Sequence, residues 1–319
     1  MKTSQTENSK KQDALHLSLS TIAWGAIGAS AFALLATGPR LLGATEYSSL
    51  ALAWTIITVI GIGIVVPTKQ VIGRAVKANE PKSNIITIMK RLSVGCALIA
   101  ILLVLDYATF HILLSGSYLW LLGVITGILG WVMVAYPRGV LVGQGKFTQY
   151  STILALEAIL RILLCGLAWI FPHAAPQFLA AAMGIPMIIA GVYGMIILHY
   201  PNDMAVTITT LGKKTTTLFT EQISMTVVAL GIQVVASTAP LWLAANTPAA
   251  SIATVGMFVS ATSYIRIPIL FAGGIQAITL NKTTSYASTG RWKDIQQLTT
   301  KTLKNSAFIS TAATLILLA

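Results

Sequence analysis

Charge is what this chain has least of. Of its 319 residues only 9 are acidic and 21 are Lys or Arg, against 55% hydrophobic residues and a mean hydropathy of +0.78. A soluble fold with that balance would cover itself in apolar surface, so a soluble class is excluded. The few carboxylates are also scattered. Glu46 and Asp106 stand alone near helix ends, with no metal-binding acidic motif beside them. That lack argues against a membrane-embedded glycosyltransferase or polymerase, and neither catalysis nor a metal or cofactor is expected. Cysteine is scarce as well. Cys96 and Cys165 both lie in apolar stretches, without metal-ligand spacing or an oxidising loop, and are expected to be packing residues.

What the chain has in plenty is long apolar runs. A spanning helix needs roughly 20 such residues, and eight stretches of that kind can be read at 17–37, 48–67, 92–113, 118–136, 150–171, 178–199, 219–243 and 252–276, with a ninth beginning near Ser306. The first follows a polar leader carrying Lys2, Lys10 and Lys11. Its apolar run is too long for a signal-peptide core, so it reads as an uncleaved span. The expected class is an all-α polytopic membrane protein.

Orientation follows from the basic residues. Eighteen of the 21 fall in the leader, in the segments after spans 2, 4 and 6, and after span 8. Under the positive-inside rule those segments and the amino terminus are cytoplasmic, which leaves the sequon at Asn281 on the inner side, where it carries no glycan. The same spread over short loops reads as topology and attraction to anionic lipid, not as a nucleic-acid surface. The three exceptions are Arg40 at an outer helix end, and Arg161 and Arg266 within apolar stretches.

A faint internal repeat sets the domain organisation. Leu41-Leu-Gly-Ala-Thr-Glu-Tyr-Ser-Ser-Leu-Ala51 echoes Leu243-Ala-Ala-Asn-Thr-Pro-Ala-Ala-Ser-Ile-Ala253, and each copy leads into a span broken by proline, at Pro67 and Pro268. Six spans separate the copies, and an even number preserves orientation, as in transporters built from parallel repeats. The expected plan is a leader (1–16), a lobe of six helices (17–200), a cytoplasmic linker (201–219) and a partial second lobe of about three helices (220–319), the last of them truncated, around a central cleft.

These residues resemble a known family. Ala36-Thr-Gly-Pro-Arg40-Leu-Leu-Gly43-Ala-Thr-Glu46-Tyr47 is similar to the Arg-x-Leu-Gly-x-x-x-Tyr signature of polysaccharide flippases. Gly143-Gln-Gly-Lys-Phe-Thr-Gln-Tyr150, leading into Glu157 and Arg161, and Tyr264-Ile-Arg266-Ile-Pro268 in span 8 are similar to further segments of the same proteins. The resemblance is to the oligosaccharidyl-lipid flippases of the multidrug/oligosaccharidyl-lipid/polysaccharide exporter superfamily. It implies a non-enzymatic transporter of the cell membrane whose substrate is an anionic lipid-linked oligosaccharide, a polyprenyl diphosphate carrying sugars, and whose partners are membrane lipid and glycan-assembly proteins.

The residue chemistry suits that substrate. Guanidinium stays charged and offers planar donors to phosphate oxygens, so Arg40, Arg161 and Arg266 are the candidate head-group contacts. Arg161 has a structural alternative, because Glu157 lies four residues earlier on the same helix face. Glu157 and Glu221 are the candidate ion-coupling or charge-partner residues, although Glu221 at the start of span 7 can equally serve the helix amino terminus. Gln233, Ser237, Thr238, Ser260, Thr262 and Ser263 are available for sugar hydroxyls, or for their own backbone. Two other readings stand beside this one. A drug or cation antiporter of the same superfamily needs acidic residues in its cleft, and span 1 has none; a non-transporting truncated remnant is the other.

Overall fold

The computed structural model describes residues 2–106, 117–198, 215–246, 253–265, 279, 282–287 and 289–318, and among these every regular element is helical. Arg266 and Pro268, the linker at 201–214, Asn281 and the side chains of Ser260 and Ser263 lie outside the described part. Among the described residues seven helices are long and apolar enough to cross a membrane, so the chain is a multi-pass membrane protein.

The first helix, α1 (Lys2–Leu41), turns at once into α2 (Gly43–Ile60). The corner is close because Gly38 lets the Tyr47 ring lie on α1: a methyl group there would stand 2.6 Å from the ring. A five-residue π-helical turn, Gly61–Val65, joins α2 to α3 (Val66–Lys77) without breaking the rod. Pro67 in the first turn of α3 lacks an N–H, and the widened turn absorbs the ring that would clash with a regular helix. Span 2 therefore runs ten residues past its expected end, and Lys69 and Arg74 belong to a helix instead of a loop.

After α3, Asn79 adopts φ 56°, while Glu80 N–H bonds the Ala75 carbonyl and Asn79 N–H the Val76 carbonyl. This crossed pair of bonds around a left-handed residue ends the helix and reverses the chain. The turn leads into α4 (Lys82–Leu105), followed by α5 (Tyr118–Gly143) and α6 (Phe147–Ile170). The α5–α6 turn repeats the same cap with Gly145 at φ 72°. A 3-10 turn, Pro172–Ala174, opens α7 (Ala175–Ile197). Further on come α8 (Thr215–Asn246), α9 (Ala253–Ile265) and α10 (Trp292–Leu318), the last beginning before the apolar run near Ser306.

Glycine decides which helices touch. Gly130 of α5 meets Met187 and Gly184 of α7, and Gly194 of α7 meets Pro137 of α5. Along this seam later residues of one helix meet later residues of the other, so α5 and α7 run parallel, as helices two spans apart in a membrane must. Gly139 and Gly143 press α5 onto α3 in the same parallel sense, facing Ile72, Gly73 and Val76. Small residues let backbones approach where lipid offers no hydrophobic drive for association. Around them one core cluster joins α1, α2, α4, α5, α6, α7 and α9, and it contains both Cys96 and Cys165 as packing residues.

Helices α8 and α9 pack onto this six-span bundle through the rod formed by α2 and α3. Leu230 sits against Gly63 of the π-helical turn, Leu218 enters the cluster of Val71, Ile72 and Ile85, and Gly256 of α9 lies against Tyr47 and Ser48. The opposite side of α8, including Val227, Val235 and Trp242, is exposed.

Candidate functional site

The interior of the bundle holds a column of charge. In α6, Tyr150, Glu157 and Arg161 recur at intervals of seven and four residues, which stacks them on one face of the helix. That face turns inward. Glu157 is 3% exposed and Arg161 1%, and the two meet at 2.8 Å as an i,i+4 ion pair. The second carboxylate oxygen of Glu157 accepts from Arg138 of α5, itself 3% exposed.

Glu157 is thus held between two guanidinium groups. Arg161 spends its other donors on the protein: Nε on the Ala182 carbonyl at 3.1 Å, Nη1 on Ser30 Oγ at 3.0 Å, with Trp54 stacked at 5.3 Å. Ser30 is free to accept because its own proton goes to the Ile27 carbonyl. Arg161 therefore ties four helices together, α1, α2, α6 and α7.

Toward the α5–α6 turn the column continues through α1 and α3. Trp24 Nε1 donates to the Tyr150 hydroxyl at 2.9 Å, and the Lys69 ammonium lies 5.1 Å from the Trp24 ring and 6.0 Å from the Tyr150 ring. Among the described residues three cations, the buried Arg138 and Arg161 and the half-buried Lys69, thus share this column with the one carboxylate of Glu157. Isolated charge in such a medium costs several kcal/mol per ion even after relaxation, so the arrangement is a strong local constraint.

A second polar contact lies where α8 begins. Arg74 of α3 pairs with Glu221, Gln222 Nε2 donates to Thr68 Oγ1 at 2.9 Å, and the Arg91 guanidinium lies 4.3 Å over the Phe219 ring. Glu221 serves as a partner across helices, beyond any role at its own amino terminus.

Of the residues singled out from sequence, Glu157 and Arg161 come together, and Glu221 is apart from them. Arg40 stands exposed at the end of α1 and donates to the Ala36 carbonyl at 2.5 Å, one turn back in its own helix. Thr238 and Thr262 likewise donate to their own helices, at the Val234 and Val259 carbonyls. Lys69 and Arg138 are the residues that loop counting passes over. The signal for Arg138 is present: it interrupts an apolar run that resumes at Gly139-Val-Leu-Val142. No protein-family model, no curated protein and no solved structure matches the chain.

Proposed function

We propose that the chain is a membrane transporter that flips an anionic lipid-linked oligosaccharide, a polyprenyl-diphosphate-linked precursor of a surface glycan, across the cytoplasmic membrane with its amino terminus inside. The observation that carries this reading is the sign of the charge in the column: among the described residues, the buried Arg138 and Arg161 and the half-buried Lys69 share it with the single carboxylate of Glu157. Fixed guanidinium suits a diphosphate. The carbohydrate-flippase-like segments around Arg40, Gly143–Arg161 and Arg266 point the same way.

A cation or drug antiporter fits less well. The chain's first span carries no acidic residue in the apolar run, and the candidate ion-coupling residues Glu157 and Glu221 are each bound to arginine. In this reading α1–α7 form one lobe and the helices from α8 onward belong to a second, with Arg40 and Arg266 as direct head-group contacts. Arg161 fixes the first lobe and presents its guanidinium only when α1 and α6 separate. The lipid tail stays in the bilayer, no covalent step occurs, and the lobes alternate about the head group.

Complementation tests it. A strain lacking its own oligosaccharide-lipid flippase is given the chain or the Arg40→Ala variant at matched membrane abundance. Restored surface glycan, lost with the substitution, is the expected result. No restoration by a well-expressed chain, in that strain and in a deletion of the native host, sinks the proposal.

A further inference from the structure

We propose that Lys69 and Arg138 hold a small inorganic anion, chloride under physiological conditions, at the seam between α3 and α5. The two side chains are neighbours: the Lys69 carbonyl lies 2.9 Å from where a Cβ on Gly139 would stand, which puts Lys69 beside Arg138 across the seam.

Neither finds enough acceptors in the protein. Arg138 is 3% exposed and has five N–H donors, yet it makes one hydrogen bond, to Glu157, and its Nε is buried with no acceptor. Both Glu157 oxygens are already engaged, one by Arg138 and the other by Arg161. Lys69 has aromatic faces on two sides and no hydrogen-bond acceptor among the described residues. Trp24 has spent its N–H on Tyr150, but the Tyr150 hydroxyl proton remains available as a further donor.

An anion at this point meets all three needs at once. It accepts hydrogen bonds from Arg138 Nε, the Lys69 ammonium and the Tyr150 hydroxyl, and lowers the charge excess of the column by one. Water would satisfy the donors without touching the charge. A compact monoanion fits better than a diphosphate, because contacts at Gly139 and Gly143 bring the α3 and α5 backbones close together. Lys69 is half-buried, so its ammonium is the part of the site nearest solvent. The inference is independent of what the protein transports.

The test uses the full chain purified in detergent, melted at constant ionic strength while chloride replaces isethionate. The expected result is a saturating rise of the melting midpoint that bromide reproduces, as ligand binding to the native state requires. Lys69→Met should raise the half-saturating concentration more than tenfold, while Lys301→Met, at an exposed site in α10, responds like the unaltered chain. Because Lys69→Met can fail to fold, equilibrium binding of radiolabelled chloride to the unaltered chain is measured in parallel, with one saturable site per chain expected. Equal midpoints in chloride and isethionate, absence of saturable binding, or an unchanged response in Lys69→Met overturns the proposal.

Discussion

Replacing Glu157 by Gln tests the charged column at its centre. The carboxylate is the sole acid between Arg138 and Arg161, and all three groups are nearly inaccessible. Removing one partner of a buried ion pair generally costs about 3–5 kcal/mol, since the remaining charge has no solvent to return to. Here the remainder is two guanidinium groups. The amide keeps the shape of the side chain and its carbonyl can still accept one bond, which returns about 1 kcal/mol. The expected net loss is about 2–4 kcal/mol, read as the shift in reversible unfolding by SDS in mixed micelles.

A companion variant isolates electrostatics from packing. Glu157→Gln combined with Arg138→Met and Arg161→Met removes every charge of the triad and substitutes apolar side chains of similar length. Buried ion clusters replaced in this way are often neutral or more stable. The triple variant should therefore recover most of what Glu157→Gln loses. If the single variant unfolds within about 1 kcal/mol of the parent, well under the usual cost of orphaning a buried charge, or the triple variant is no better than the single one, the charge argument is wrong.

Three other outcomes follow from the packing. Gly143→Leu should destabilise by at least about 1–3 kcal/mol, the usual range for overpacking, because its Cβ would stand 2.5 Å from the Gly73 backbone carbonyl, which cannot rotate aside; the same SDS titration reads it. Glu221→Gln should cost only about 0.2–1 kcal/mol, since the pair with Arg74 is part-exposed at 25% and 33%, and the difference should vanish near 1 M salt, where the screening length falls to about 3 Å. Cys96 and Cys165 should resist a membrane-permeant thiol reagent in the folded protein and react once denaturant opens the bundle, as both are buried; mass spectrometry of the labelled chain counts the modified thiols.

The ladder of helices is legible in sequence because a bilayer imposes one length on every span, whatever the helices later pack against. Their leader-side ends are less legible, and proline is the reason. In water a proline marks the end of a helix, and Pro67 and Pro137 both invite that reading. Inside the bundle neither breaks the rod: the π-helical turn at Gly61–Val65 absorbs the first, and Gly194 of α7 receives the second. Two apparent loop segments thus become helical extensions, and they carry Lys69, Arg74 and Arg138 into helices with them.

The same helical continuation explains why the column reads from sequence as a neutral pair. The i,i+4 spacing of Glu157 and Arg161 is local, so the sequence displays it. Arg138 approaches from another helix, and its contact depends on the register set by the turn at Gly145. Arg138 stands 7 residues before that glycine and Glu157 stands 12 after it. The offset of about five residues corresponds to roughly 7.5 Å along the helix axes, close to the full reach of an arginine side chain. Side-chain length together with the capped turn converts the local pair into a cationic triad. The sign of the buried charge, on which the functional reading rests, is therefore a property of the α5–α6 hairpin and not of either helix alone.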